Sequence, residues 1–194
     1  MVAALTGGPP PLPPQLLPEQ QAIAAAGTWG QLGSVLLLRR DEDGELVNDT
    51  YLLSRDERGR WRSADTSAGS GVPEWVLHRP ESAFEPWHGE HLWVLTGQLA
   101  VVRDHGWCGD VTVMVSRAVT AVEFVHDQKQ LCLPVPASGL VSVAHPVRNW
   151  RDEVLVRALE PHGSLLGSEL YPFLTDSDHG WPDPSLWTGH WSQE

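Results

Sequence analysis

The feature that most constrains this chain is a succession of short apolar runs separated by turn residues. About eleven such runs lie between Ser34 and Tyr171, with turn signals roughly every 8–12 residues and no long amphipathic helix between them. Parallel folds need a helical crossover between successive strands, so this spacing favours antiparallel pairing. The sequence therefore predicts an all-β fold, mainly an antiparallel β-sandwich, with a closed jelly-roll barrel as the alternative.

Local patterns support this fold. Asp43-Gly44 lies between the runs Val35–Arg40 and Leu46–Leu53, which indicates a hairpin because glycine tolerates the positive φ of a tight turn. Residues 154–158 alternate as a half-buried strand requires.

Three further segments have weaker signals. Leu92–Leu95 and Leu99–Arg103 flank Thr96-Gly97, which predicts a second hairpin. Thr66–Gly71 is rich in serine and glycine and predicts a loop, whereas Trp75–His78 predicts a strand.

Composition divides the chain into three segments. Residues 1–29 form a proline-rich leader that favours an extended conformation and then a short helix, predicted from Glu19 to Ala26. Residues 30–174 form the β domain, with a division into two small modules, 30–104 and 105–174, as the alternative. Residues 175–194 form an acidic, tryptophan-rich tail without periodicity.

Charge excludes one class of partner. The chain has 13 basic and 25 acidic side chains, a formal charge of −12, which would repel a phosphate backbone. No apolar run approaches the roughly 18 residues of a membrane span, and no basic, then apolar secretory signal opens the chain. We expect a cytoplasmic protein that binds neither nucleic acid nor membrane.

The two cysteines are too few for a disulfide framework or a zinc site of their own. Cys108 is predicted in an exposed, glycine-rich loop and Cys132 in a strand, and the sequence leaves open whether they pair. A reactive thiolate needs a nearby cation, but Asp110 beside Cys108 would oppose a lowered pKa.

Three segments carry a family resemblance. Val119–Val125, Leu133–Val143 and Val156–Leu166 resemble an immunoglobulin-like β-sandwich module of uncharacterised actinobacterial proteins, and Leu36–Gly44 fits its front half. The resemblance implies a sandwich fold and no catalytic residue.

Two other segments resemble cupins. Residues 90–101 are similar to the end of the first cupin motif and residues 145–149 to the end of the second, although Phe84 and Pro86 stand where that motif has paired histidines. The resemblance implies, as the alternative function, a cupin-like small-molecule binder or an enzyme that depends on a divalent transition metal. Its ligand set would be His88, Glu90, His91 and His145.

Tryptophan is the unusual residue type, since 10 of the 15 aromatic residues (10 Trp, 2 Tyr, 3 Phe) are tryptophan. Strand positions such as Trp75 and Trp93 predict core packing, whereas others are candidates for a binding surface because indoles are common at interface hot spots. These candidates are Trp87, Trp150, Trp181, Trp187 and Trp191. The predicted function is a non-enzymatic, cofactor-free interaction module that binds another protein or a second copy of itself.

Overall fold

The structure is a computed structural model that describes residues 1–72, 74–78, 91–102, 104–148 and 152–172. These residues form an α-helix, α1 (Val2–Gly7), a 3₁₀ helix (Glu74–Leu77) and eleven strands. The strands are β1 (Gln21–Trp29), β2 (Leu32–Arg40), β3 (Leu46–Arg55), β4 (Trp61–Gly71), β5 (Leu92–Val102), β6 (Gly106–Val115), β7 (Ala121–His126), β8 (Lys129–Pro134), β9 (Leu140–Pro146), β10 (Glu153–Leu159) and β11 (Leu165–Pro172).

The strands form three antiparallel sheets. Sheet A has the order β1-β2-β3-β4, sheet B the order β5-β6-β9, and sheet C the order β11-β10-β7-β8. The predicted all-β, antiparallel sandwich is confirmed, and within the described residues the strands form open sheets rather than a closed barrel. The predicted Asp43-Gly44 hairpin joins β2 to β3, with Gly44 at φ 86°.

Sheet B is the middle layer of the sandwich. On β6, Val111, Val113 and Val115 pack into a core shared with sheet C, including Phe124 and Val156. Met114 and Cys108, on the opposite face of the same strand, pack into cores shared with sheet A. Both faces of β6 are therefore buried, including the polar side chains of Asp110 and Thr112 on the face toward sheet A.

Sheets A and B approach closely where β1 crosses β9. A Cβ atom on Gly27 would overlap the backbone oxygen of Ser142, so only glycine fits there. Beside this contact the Ser34 Oγ lies 2.6 Å from the Ser142 Oγ, which accepts a 2.8 Å hydrogen bond from Thr112. All three hydroxyl side chains are fully buried, and their hydrogen bonds to one another replace the hydrogen bonds that they make with water in the unfolded chain.

The helix predicted from Glu19 to Ala26 is wrong, because Gln21–Trp29 forms β1 and pairs with β2. Alanine and glutamine favour a helix locally, but as a strand the segment pairs with β2 on both sides of a register shift at Ala24, and it buries Ala24 and Ala25. Sheet A thus begins inside the segment predicted as a leader.

The proline-rich leader packs on the body of the protein. Leu16 is fully buried in the core between sheets A and B, and its carbonyl accepts a 2.6 Å hydrogen bond from Arg40 Nε. Leu5 of α1 packs on the outer face of sheet A, against Val35 and Leu53. The leader therefore covers one end and one outer face of the sandwich.

Three other local predictions are wrong. Thr96-Gly97 lies within β5 instead of forming a turn, and the register of β5 with β6 shifts between Val94 and Thr96. The turn between β5 and β6 lies further along the chain and contains Asp104. Thr66–Gly71 belongs to β4 because it pairs with β3. The predicted strand at Trp75–His78 is mostly a 3₁₀ helix, and Val76 of this helix is buried in the core between sheets A and B.

The close approach at Gly27 gives a stability prediction. Gly27→Ala should lower the free energy of unfolding by about 1–3 kcal/mol, because the new methyl group forces β1 and β9 apart. Gly167→Ala in β11 is the control, since nothing lies within 4 Å of a Cβ at that position. Urea unfolding of both variants measures the difference. Equal stability of the two would contradict the close packing of β1 on β9.

Candidate functional site: the outer face of sheet C

The inner face of sheet C is covered by sheet B, which leaves its other face pointing outward. Along β10 the buried residues are Val154, Val156 and Ala158, all within the core shared with sheet B. Successive side chains of a strand point to opposite faces, so Leu155 and Leu159 point away from that core. They are half-buried and lie outside the core shared with sheet B.

Strand register sorts these outward residues into three rows that cross the four strands. The central row is polar and consists of Ser168, Arg157, Glu123 and Cys132. One flanking row consists of Leu170, Leu155, Val125 and Gln130, and the other of Leu165, Leu159, Ala121 and Pro134. We call these twelve residues the outer face of sheet C.

Aliphatic side chains on this face are in contact with water. Leu165 is 56% exposed and Leu170 51% exposed, and both lie in β11, whose pairing with β10 shifts register between Gly167 and Leu165. Together with the half-buried Leu155 and Leu159 they form a continuous apolar border on both sides of the polar row. Contiguous exposed apolar surface of this kind marks an interaction site more often than scattered single residues do.

The polar row is neutralised within the chain. The Arg157 Nη1 lies 2.9 Å from Glu123 Oε2, and Gln130 donates a hydrogen bond to the other carboxylate oxygen of Glu123. The Glu123 side chain is only 10% exposed, whereas that of Arg157 is 41% exposed. The row therefore presents a guanidinium group to solvent beside a shielded carboxylate.

The two edge strands of sheet C differ. β8 has six residues, begins at Lys129 and ends at Pro134, and both residue types discourage another strand from pairing with an edge. β11 has eight residues and carries the exposed Leu165 and Leu170. Like β8, β11 ends at a proline, Pro172, but its edge has no lysine, and the apolar border is strongest there.

A second polar cluster lies where the three sheets meet. Trp29 of β1, His126 of β7 and His145 of β9 bring their rings together, with centroids 4.7 Å apart for the two histidines. Trp29 lies 6.2 Å from His126 and 6.3 Å from His145. We call this cluster the histidine junction.

Burial fixes the charge state of His145 in the junction. Its side chain is fully buried, and burial together with the neighbouring His126 lowers its pKa from 6.5 to about 4. Because the Pro146 carbonyl can only accept, the His145 Nδ1 donates the 3.0 Å hydrogen bond between them. His126 Nε2 lies 3.6 Å from Asp152 Oδ2. The junction thus joins all three layers through a neutral imidazole.

Seven of the residues singled out from the sequence lie outside the described residues. They are Trp87, Trp150, Trp181, Trp187, Trp191, His88 and Glu90. The binding surface predicted from the tryptophans therefore stays a prediction. Trp93, predicted as core, is buried between sheets A and B.

His91 and His145 cannot bind one metal ion. The backbone carbonyl of His91 accepts a hydrogen bond from Ser116 at one end of β6, whereas His145 lies opposite Gly109. Seven residues of strand separate these positions, which is about 23 Å. His91 Nδ1 lies 2.9 Å from Ser116 Oγ. Among the described residues, no three potential ligands are grouped for a metal.

The cysteines do not pair, and they differ in accessibility. Cys108 lies in β6 and is fully buried, so its predicted position in an exposed loop is wrong. Burial raises its pKa to about 11, which keeps it protonated. Cys132 is exposed in the polar row of the outer face of sheet C.

Comparison with family models, with curated protein sequences and with solved structures gives no match. In the described ranges no helix is long and apolar enough to cross a bilayer. The function of this chain is therefore inferred from the geometry of the outer face of sheet C and of the histidine junction.

The histidine junction predicts a pH dependence of stability. Between about pH 6.5 and 4 the unfolded chain binds a proton at residue 145 that the folded chain does not, so acidification favours unfolding. This stabilisation is complete above about pH 6.5 and falls by about 3 kcal/mol as the pH approaches 4. Urea unfolding at several pH values should show a shallower acid loss in His145→Gln. His162→Gln, in an exposed turn, is the control. Identical pH profiles for the wild type and His145→Gln would refute this assignment.

The thiols predict a labelling pattern. Iodoacetamide should modify one cysteine per native chain, Cys132, and two after denaturation, because Cys108 is buried and protonated. Intact-protein mass spectrometry counts the adducts. Cys132→Ser should abolish native labelling. Rapid native labelling of that variant would mean that Cys108 is accessible.

Proposed function

We propose that this protein is a non-enzymatic binding module that docks another protein chain on the outer face of sheet C. The observation that carries this proposal is the pair of aliphatic rows on that face, with Leu165 and Leu170 more than half exposed at 56% and 51%. Covering such side chains gains about 25 cal/mol for each Å² of apolar surface removed from water. The expected partner therefore presents an apolar surface of its own.

The polar row supports docking because its charges are already paired. Burying an unpaired charge costs several kcal/mol, and that cost would oppose any partner. Here Arg157 and Glu123 form an ion pair at 2.9 Å within the chain, so a partner need not supply a counter-charge. The polar row restricts the orientation in which a partner binds, while the apolar rows supply most of the affinity.

The overall charge favours a protein partner over a nucleic acid or an anionic membrane. At −12 the chain is repelled by phosphate groups, which both of those surfaces present. An apolar protein surface carries no such penalty.

Site-specific photo-crosslinking in the native host tests this proposal. A benzophenone amino acid at Leu170 should give a protein adduct of defined mass, because that side chain lies on the docking face. The same group at Val101, which is 63% exposed on edge strand β5 of sheet B, is the control. Adducts at both positions alike, or at neither, would reject the proposal, as would a crosslink from Leu170 within its own chain.

A further inference from the structure

We infer that the chain docked on the outer face of sheet C is a second copy of this protein, related by a two-fold axis parallel to the strands between β10 and β7. This inference rests on the proposed function. It follows from the order of residues in the three rows, which is complementary to itself under that rotation.

The charges in the polar row determine the axis. Arg157 lies on β10 and Glu123 on β7, so they stand on either side of a line drawn along the strands. Rotation about that line places Arg157 of one copy over Glu123 of the partner subunit, and the reverse contact forms by symmetry. Each Arg157 side chain, still 41% exposed in one chain, then faces two carboxylates instead of one.

The apolar rows also match under this rotation, except that Leu170 faces Gln130 of the partner subunit. Leu155 faces Val125 of the partner subunit, and Leu159 faces Ala121 of the partner subunit. Large side chains thus lie opposite smaller ones, which suits the interdigitation of two packed sheets. Strands of aligned sheets cross at about −30°, and this twist leaves the centre of the face in register.

For aligned sheets, the other two-fold axis in the plane of the face is unfavourable. It would run across the strands along the polar row and place Arg157 over Arg157 of the partner subunit. Glu123 would likewise meet Glu123 of the partner subunit. Two like-charged contacts in a desolvated centre oppose that arrangement. Charge therefore selects the axis parallel to the strands.

The size of the face indicates a reversible dimer. Four strands about 4.8 Å apart and seven residues of about 3.3 Å each give a face of roughly 19 by 23 Å, which is about 440 Å² for each copy. Two copies would cover about 900 Å², which is below the size of obligate interfaces and within the weak, transient class. Association should therefore depend on concentration.

Sedimentation of the full chain at physiological salt tests the dimer. The mass should rise from 21.4 kDa toward twice that value between micromolar and millimolar concentration. Leu165→Glu with Leu170→Glu should shift the midpoint at least tenfold upward or abolish dimers. Leu17→Glu with Val101→Glu is the control. It adds the same charge at two exposed positions, 50% and 63%, that lie outside the outer face of sheet C. A wild-type chain that stays monomeric, or equal effects of both variants, would overturn the inference.

Crosslinking tests the axis. Ser168 and Cys132 lie at opposite ends of the polar row, about 14 Å apart within one chain, but face each other between copies under the inferred rotation. A bismaleimide shorter than that span should join Ser168→Cys chains into covalent dimers and leave the wild type uncrosslinked. Efficient dimers of the wild type through Cys132 would instead indicate the axis across the strands and overturn the inference.

Failure of this inference is distinguishable from failure of the proposed function. A Leu170 photo-adduct with a different protein, from a chain that remains monomeric, would overturn the second copy and keep the binding module. No adduct and no dimer would overturn both. An adduct of twice the chain mass, together with Ser168→Cys dimers, supports both.

Discussion

The contact between Gly27 and Ser142 sets the distance between sheets A and B, and the rest of the stack depends on that distance. Packed sheets usually lie about 10 Å apart, with side chains filling the gap. Here Gly27 contacts the backbone of Ser142 directly, so the polar groups buried beside this contact need hydrogen-bond partners within the protein. The buried hydroxyl groups of Ser34, Thr112 and Ser142 supply them.

Sheet B packs on sheet A at this close contact and on sheet C through a separate apolar core, so it is the middle of three layers and the two outer sheets differ in what covers them. The outer face of sheet A carries α1, whose Leu5 packs against Val35 and Leu53. In the described part of the chain, no helix or strand lies over the corresponding face of sheet C. The open apolar face therefore results from the layer order, and its position could not be derived from any single strand.

Local signals in the sequence were confirmed where strand pairing agreed with them and were wrong where strand pairing opposed them. The Asp43-Gly44 turn and the alternation of β10 are both short-range patterns, and both are confirmed. The helix at Glu19–Ala26 and the turn at Thr96-Gly97 are also short-range signals, but strand pairing overrode them. The outer face of sheet C was missed because Leu155 and Leu159 alternate with Val154 and Val156, so both faces of β10 look apolar. Only the packing of sheet B on sheet C shows which face of β10 is covered.

In the proposed docking, the Arg157–Glu123 pair would limit indiscriminate association of the apolar face. Aliphatic rows alone would permit many registers, since apolar contact has no direction. A charged pair between them penalises any register in which like charges meet, which is a specificity device rather than a source of stability. Lys129 and Pro134 act similarly at the edge of β8, where they discourage strand addition. In the proposed dimer, these features would favour contacts made face to face over strand addition at β8, and among those the ones that match the order of the polar row.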